Sequence, residues 1–232
     1  MAIKNYIKKI LGVHSKPASQ PLIKKVDLAE IVVDFKPNIK ILEPRATNGN
    51  VTVFEVFALN VITAAMAPKS IFEIGTFDGR TTLNLAANCP ADSRIVTLDL
   101  PASKLGQTRF ELEDYDKSYV YKPASGQRFQ DRPEATKITQ VYADSGSHDF
   151  TPYYNSFDLI FVDGSHAYEY VIHDSKTALK LLRNKKGVIL WHDFENPCWP
   201  GVLKGLNELV QTEEFAGIKH IADTHIACKF FD

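Results

Sequence analysis

The sequence has little cysteine and no surplus of charge of either sign. Its 232 residues include three cysteines, an odd number that lacks the C-x-x-C spacing of zinc and redox sites. A reduced, cytoplasmic compartment is the simplest interpretation. The 27 basic and 28 acidic residues give a net charge of −1, so composition shows no basic footprint for binding nucleic acid.

Long hydrophobic runs are missing as well. No apolar stretch approaches the roughly 20 residues that span a bilayer, and the first residues lack the uninterrupted apolar segment of a secretory signal. The G-x-G-x-x-G fingerprint of dinucleotide binding is absent, and no tyrosine is followed four residues later by lysine. These absences argue against a membrane-spanning protein, a secreted protein and a nicotinamide-dependent oxidoreductase.

What is present is the composition of a soluble globular protein, with 44% hydrophobic and 24% charged residues. The first stretch places Ile3, Ile7 and Ile10 at helical spacing and predicts a short amphipathic helix. Proline-rich sequence follows, so we expect an N-terminal helix and irregular extension over 1–50, and one domain over 51–232. The domain opens with an apolar helix over 51–67, which Pro68 ends.

A regular series of apolar runs follows this helix. They are SIFEIG (70–75), RIVTLDL (94–100), KITQVYA (137–143), FDLIFVD (157–163) and GVILWHD (187–193). Continuous apolar runs indicate strands that are covered on both faces, and therefore a parallel sheet between helices. The last two runs, 217–223 and 224–231, leave no room for a helix and should pair antiparallel. The predicted fold is α/β, a seven-stranded, mostly parallel sheet with a C-terminal antiparallel hairpin strand and helices on both faces.

Ligands of such sheets bind beyond the carboxyl ends of the strands. The first predicted strand ends in EIGTFDG, where Gly75 and Gly79 permit a tight turn before a helix. The second strand ends on Asp99, about 20 residues after the glycine turn, where a carboxylate can accept the hydroxyl groups of a ribose. The third ends on Asp144 and Ser145, which would either cap the next helix or meet a base edge.

The fourth strand ends on Asp163, with His166 three residues later, and the fifth on His192 and Asp193. Five consecutive strands therefore end on polar, mostly acidic residues. Unrelated loops seldom share such a pattern, so a common site at this edge is indicated.

Taken together, EIGTFDG, the acidic end of the second strand, the ADS step, FVDGSH and GVILWHD resemble class I S-adenosylmethionine-dependent methyltransferases. Within that class the chain is most similar to the methyltransferase type 24 branch, which acts on small molecules. The resemblance covers roughly residues 50 to 232. It implies a Rossmann-like sheet, S-adenosylmethionine as cofactor and an O-methyltransferase activity.

The resemblance also implies a set of cofactor-binding residues. They are Glu73, Gly75, Thr76, Phe77, Asp78, Gly79, Asp99, Leu100, Asp144, Ser145 and Asp163. The first part of this set would line the methionine moiety, Asp99 would hold the ribose, and Asp163 would lie near the sulfonium. Phe77 departs from the family pattern, in which many members have a second glycine.

For the chemistry, the resemblance makes His166 the general base that takes the acceptor proton and puts Asp163 beside it. Related enzymes hold a divalent ion after the fourth and fifth strands, which here implies Asp163, His192 and Asp193 as ligands. A histidine in this set makes Mn²⁺ or Zn²⁺ better tolerated than Mg²⁺. The other interpretation is that His192 and Asp193 hydrogen-bond the acceptor or hold His166.

Two other functions use the same residues. Asp163, His166, His192 and Asp193 would also suit a metal-dependent hydrolase, and a cofactor-binding module without turnover would keep the same fold. The stretch 101–136 is far longer than a usual connection and predicts a lid or binding loop. The acceptor, a small molecule or glycan, and a homo-oligomeric state stay open at this point.

Overall fold

The computed structural model describes residues 22–33, 36 and 38–232. In this part of the chain eight strands form one sheet: β1 (Lys24–Val26), β2 (Ser70–Ile74), β3 (Arg94–Asp99), β4 (Ile138–Tyr142), β5 (Leu159–Val162), β6 (Gly187–Trp191), β7 (Lys219–Ile221) and β8 (Ala227–Phe231). Their order is β1-β7-β8-β6-β5-β2-β3-β4. All neighbouring strands are parallel except at β8, which runs antiparallel to β6 and β7.

The helices cover both faces of this sheet. They are α1 (Leu28–Ile31), α2 (Val53–Met66), α3 (Arg80–Asn88), α4 (Asp114–Val120), α5 (Gln127–Gln130), α6 (Tyr168–Leu181) and α7 (Pro200–Leu209). Apolar residues of α2 and α3 pack in one core cluster, and those of α6 and α7 pack in another. The predicted α/β fold class is confirmed. None of the helices among the described residues is long and apolar enough to cross a membrane.

The central strands serve both cores at once. In β2, Ile71 packs in the cluster of α2 and α3, whereas Phe72 and Ile74 pack in the cluster of α6 and α7. Successive side chains of a strand point to opposite faces, so a strand between two cores buries side chains on both faces and is mostly apolar. All residues of β2 and β5 are buried accordingly.

Helix α2 begins and ends close to the predicted bounds. The Thr52 hydroxyl accepts a hydrogen bond from the backbone N–H of Glu55, and the Glu55 carboxylate accepts one from the backbone N–H of Thr52. This capping box satisfies two N–H groups that a helix start leaves free. The helix ends at Met66, and Ala67 after it adopts a left-handed conformation just before Pro68.

The expected irregular extension over 1–50 needs a correction. Residues Lys24–Val26 form β1, which pairs parallel with β7 at the edge of the sheet, and α1 follows it. A strand of three residues is too short to show a periodicity in sequence, and backbone pairing with a distant strand holds it. The seven-stranded sheet expected from sequence therefore gains an eighth strand. The predicted N-terminal amphipathic helix lies outside the described residues.

The long insert at 101–136 has structure of its own. It contains α4 and α5 between two 3₁₀ turns, Ala102–Lys104 and Pro133–Lys137. Residues from α4 and from the segment just after it lie over the carboxyl ends of the strands. This placement puts the insert beside the expected site.

Candidate active site

A cavity of about 360 Å³ lies at the carboxyl ends of β2 to β6. Strand β2 has β3 on one side and β5 on the other, because the chain adds β3 and β4 on one side of β2 and then crosses back to place β5 on the other. This is the point at which α/β sheets open a crevice for ligands, and the cavity has the volume of a small-molecule site. Of the residues predicted for the cofactor, seven line it: Gly75, Phe77, Asp99, Leu100, Asp144, Ser145 and Asp163.

The turn after β2 depends on a very close approach to β5. Gly75 has a φ of +98°, and a Cβ atom there would lie 1.9 Å from the backbone oxygen of Asp163. Only glycine fits both the conformation and the contact. Phe77, two residues later, also has a positive φ, of +49°, which suits the glycine that many family members carry at this position.

Asp99 holds this turn and also carries an ion pair. Its Oδ1 accepts hydrogen bonds from the backbone N–H groups of Thr76 and Phe77, both at 3.3 Å. Its Oδ2 lies 2.7 Å from the ammonium group of Lys122, which follows α4 in the insert. A lysine from the insert therefore contacts the carboxylate oxygen that we expect to receive the ribose.

Four residues of the predicted cofactor set lie outside the cavity lining. They are Glu73, Thr76, Asp78 and Gly79. The Glu73 carboxylate is fully buried and accepts hydrogen bonds from Thr82 and Thr97. Burial raises the pKa of Glu73 to about 8 in spite of these two hydroxyl groups, so the side chain is largely protonated at neutral pH.

The other members of this group support the turn from outside. Asp78 accepts hydrogen bonds from Asn50 and from Arg128, the latter at 2.7 Å. Gly79 starts α3 with a φ of +86°, and a Cβ there would lie 2.6 Å from the ring of Phe129. These contacts join the turn after β2 to the insert.

Both carboxylate oxygens of Asp144 accept hydrogen bonds from neighbouring protein groups. It accepts hydrogen bonds from the backbone N–H groups of Arg109 and Gly146 and from the Tyr170 hydroxyl, the last at 2.6 Å. Burial disfavours its charge, but these hydrogen bonds hold the pKa of Asp144 below its usual value. A turn follows it rather than a helix, so Asp144 closes a loop and is not a helix cap.

Beyond β5 and β6 lies a cluster of histidine and carboxylate groups. His192 Nδ1 lies 3.1 Å from Asp163 Oδ1 and 3.0 Å from Asp193 Oδ2. Its other nitrogen, Nε2, lies 3.3 Å from the carboxylate of Glu55 at the start of α2. Burial favours a neutral ring, but the charges of Asp163 and Asp193 outweigh it and raise the pKa of His192 well above its ordinary value.

The carboxylates of this cluster differ from each other. Burial raises the pKa of Asp163, although His192 opposes the shift. For Asp193 the charge of His192 and the hydrogen bond from His166 outweigh burial and lower the pKa well below its usual value. Burial alone would raise the pKa of Glu55, but His192 outweighs it and lowers the pKa to about 2. The site thus holds three carboxylates around one imidazole.

His166 lies between two carboxylates and against an indole ring. Its Nδ1 pairs with Asp116 of α4, its Nε2 lies 2.7 Å from Asp193 Oδ2, and its ring stacks on Trp199 at a centroid distance of 3.8 Å. Burial favours the neutral ring, but the two carboxylates raise the pKa of His166 to about 9. The imidazole is therefore mostly protonated at neutral pH in this arrangement.

Sequence reasoning missed three charged residues of the site, Glu55, Asp116 and Lys122. Glu55 had a signal, because T-x-x-E before an apolar run is the pattern of a capping box. Asp116 and Lys122 had none, since they come from an insert without a recognisable motif. Of the two tryptophans near the end of β6, Trp191 is buried in the core and Trp199 lines the cavity.

The sheet order, the crevice beside β2 and the acidic strand ends define an α/β fold of the class I methyltransferase type. The model of a methyltransferase-domain family, type 24, matches residues 72–194, which is more than half of the chain. The chain therefore belongs to this family of S-adenosylmethionine-dependent methyltransferases, as its motifs predict. This membership favours a methyltransferase over the hydrolase that the same side chains allowed.

Solved structures show the same fold at low sequence identity. A Klebsiella pneumoniae protein that is provisionally named an O-methyltransferase has 17% identity and a TM-score of 0.52, covering 100% of this chain and 96% of its own. Cofactor-bound Rv0187 from MTB has 16% identity and a TM-score of 0.52, covering 99% and 95%. The SAH-bound methyltransferase PaMTH1 of Podospora anserina has 15% identity and a TM-score of 0.50, covering 80% and 81%.

A short match links the chain to a viral protein. The uncharacterized protein R132 of Acanthamoeba polyphaga mimivirus is 37% identical over 57 residues, which are 24% of this chain and 25% of that protein. The chain thus matches about a quarter of the length of this curated relative. The match carries no function.

Proposed function

We propose that the protein transfers the methyl group of S-adenosylmethionine to a hydroxyl group of a small molecule or glycan. The observation that carries this proposal is the arrangement of one cavity with two chemically different sides. Asp99, Leu100 and the turn at Gly75 line the side expected for the cofactor. His166, His192 and Asp193 line the side where an acceptor hydroxyl would need orientation and a proton acceptor.

The reaction is a single displacement. An oxygen of the acceptor forms a bond to the methyl carbon while the bond between carbon and sulfur breaks, and S-adenosylhomocysteine leaves. Holding the two reactants in line supplies up to about 7–11 kcal/mol of the barrier reduction in well-oriented cases. We assign this alignment to Asp99 on the cofactor and to the polar groups beyond β5 and β6 on the acceptor.

The acceptor proton must also leave, and we propose His166 as the group that takes it. Both nitrogens of this ring have carboxylate partners, so the acceptor hydroxyl has to replace Asp193 as the partner of Nε2. The ring must also be neutral at that moment. Substitution His166→Ala should lower turnover by about 10²- to 10⁴-fold and leave cofactor affinity nearly unchanged.

A divalent cation is a further part of the proposal. One donor atom each from Asp163, His192 and Asp193 can be chosen so that all lie within 4.8 Å of one another. His192 Nδ1 lies 3.1 Å from a carboxylate oxygen of Asp163 and 3.0 Å from one of Asp193, so these three residues would hold such an ion. A set of one nitrogen and two carboxylates suits Mn²⁺ or Zn²⁺ better than Mg²⁺. When bound, such an ion would orient the acceptor hydroxyl and increase its acidity.

The first experiment is calorimetric titration of the protein with S-adenosylmethionine and with S-adenosylhomocysteine. We expect binding of both, and loss of binding in Asp99→Ala but not in the control Asp92→Ala, whose side chain is exposed. Transfer from methyl-labelled cofactor to a panel of phenols, catechols, polyols and sugars then tests the acceptor class. The proposal is wrong if neither ligand binds, or if label reaches only nitrogen or sulfur nucleophiles in a matched panel.

A further inference from the structure

Helix α4 of the insert and the segment just after it present polar and aromatic side chains to the cavity. Asp116, Tyr119 and Lys122 lie three residues apart and all line it. Lys122 contacts Asp99 on the side expected for the cofactor, whereas Asp116 contacts His166 on the acceptor side. The insert therefore reaches both halves of the site.

The Asp116 carboxylate is almost entirely buried, and both of its oxygens bind residues of the loop after β5. Its Oδ2 accepts hydrogen bonds from the Ser165 hydroxyl at 2.8 Å and from the backbone N–H of His166 at 3.0 Å. Its Oδ1 pairs with His166 Nδ1. One side chain thus holds the backbone and the imidazole of the same residue, from a position 50 residues earlier in the chain.

The remaining contacts of the ring come from the segment after β6. Trp199 stacks on one face of the imidazole with an interplanar angle of 12°. The Asp193 carboxylate contacts the other ring nitrogen, Nε2. Stacking restricts the tilt of the ring, but a half-turn about the Cβ–Cγ bond would keep the ring stacked and put Cδ2 and Cε1 where Nδ1 and Nε2 now lie. Asp116 opposes this flip because the flip would break its contact with Nδ1. A proton on Nδ1 that is donated to Asp116 also leaves Nε2 as the nitrogen that faces the acceptor side.

We propose that Asp116 is a positioning residue for methyl transfer, which sets the orientation and the tautomer of His166 from the insert. The proposal rests on the proposed function, because it assigns Asp116 a role in that reaction. Asp116 acts through His166. Its contribution should therefore be visible in turnover and not in the binding of the cofactor.

The test compares Asp116→Ala and Asp116→Asn with Asp114→Asn, a change on the same helix at an almost fully exposed carboxylate. The first measurement is the imidazole N–H proton spectrum of protein labelled with ¹⁵N-histidine, with no acceptor needed. Wild type and Asp114→Asn should show a strongly downfield Nδ1–H signal that disappears in Asp116→Ala. Signal assignment uses His166→Gln.

The second measurement separates kcat from KM in methyl transfer to the best acceptor of the panel. Asp116→Ala should lower kcat about 100-fold, since a misplaced catalytic group costs that much. The acceptor KM and the Kd for S-adenosylhomocysteine should stay within about twofold. Asp116→Asn should restore part of kcat, because its amide oxygen can still accept from the ring Nδ1–H, although its NH₂ group then faces the backbone N–H of His166.

The outcomes distinguish the two proposals. An unchanged kcat in Asp116→Ala, or a loss of cofactor affinity equal to the loss of kcat, overturns the positioning role. If Asp116→Ala unfolds, Asp116→Asn is measured instead. A wild-type kcat in Asp116→Asn together with an altered Nδ1–H signal would also overturn the positioning role. If wild type binds no cofactor, the proposed function fails. In that case an Nδ1–H signal that is the same in wild type and in Asp116→Ala still refutes the orientation of His166 proposed above.

Discussion

Removal of the Lys122 ammonium group should increase the affinity of the protein for its cofactor. Lys122 Nζ lies 2.7 Å from Asp99 Oδ2, and the two side chains are only 11% and 8% exposed. If Asp99 receives the ribose, the cofactor must compete with this lysine for the same oxygen. Substitution Lys122→Met removes the competitor and keeps an unbranched apolar stem beside Phe77.

The size of the effect follows from the strength of the contact. A hydrogen bond from a ribose hydroxyl to the charged Asp99 carboxylate would contribute about 1.5–3 kcal/mol, which corresponds to about 10- to 150-fold in a dissociation constant, and the ion pair with Lys122 competes for the same oxygen. This is an upper limit for the gain, since Lys122 keeps other contacts after displacement. The free variant should also unfold at a lower temperature than wild type, because Asp99 then has a buried charge without its cation.

The assay is calorimetric titration with S-adenosylhomocysteine, together with thermal unfolding with and without this ligand. Lys117→Met is the matched control, because Lys117 pairs with Asp114 on the same helix at a well-exposed site. It should change neither affinity nor stability noticeably. Equal or weaker cofactor binding in Lys122→Met would refute the competition and make Lys122 a cofactor ligand instead.

Three further predictions concern the frame of the site. Gly75→Ala should destabilise the fold by at least about 1–3 kcal/mol in urea unfolding, because of its φ and its contact with the Asp163 backbone, whereas Gly106→Ala, with open space around it, should not. Burial raises the pKa of Glu73 from 4.5 to about 8, so its contribution to stability is complete below pH 4.5 and is lost as pH rises through 8. Glu73→Gln should therefore lose less stability than wild type between pH 6 and 9, and parallel curves would contradict this. Glu55→Gln should weaken Mn²⁺ binding about 10- to 100-fold in an electron paramagnetic resonance titration, since the Glu55 carboxylate is the charged partner of the far nitrogen of His192, at 3.3 Å. Unchanged affinity would argue against His192 as a ligand.

The positions of the strands could be predicted from the local pattern of apolar residues. The predicted runs at 70–75, 94–100 and 187–193 correspond to β2, β3 and β6 within two residues at each end. Continuous apolar sequence marks a strand between two cores, and the reason is local, since each face must be covered. For the same reason the sequence could place Asp99, Asp163 and His192 at one edge, because parallel strands end together.

The contacts of those residues could not be predicted in the same way. His166 was expected to be the general base, and its contact with Asp193 was one of two interpretations, but its contact with Asp116 was not foreseen. Asp99 was expected to face a ribose, and a lysine of the insert contacts it in the described chain. Asp116 and Lys122 come from α4 and from the segment just after it, in a stretch of sequence with neither motif nor clear periodicity.

The sequence by itself thus determined the family, the parallel sheet and the edge at which the site lies, because these depend on residue type and on spacing within single elements. The tertiary structure decided which charges meet there: Lys122 with Asp99, Asp116 with His166, and Glu55 with His192. Such pairs join elements that are far apart in the chain, and the packing of the insert and of α2 over the sheet brings them together. The protonation states of the site follow from those pairs, since burial and neighbouring charge set the pKa of each group.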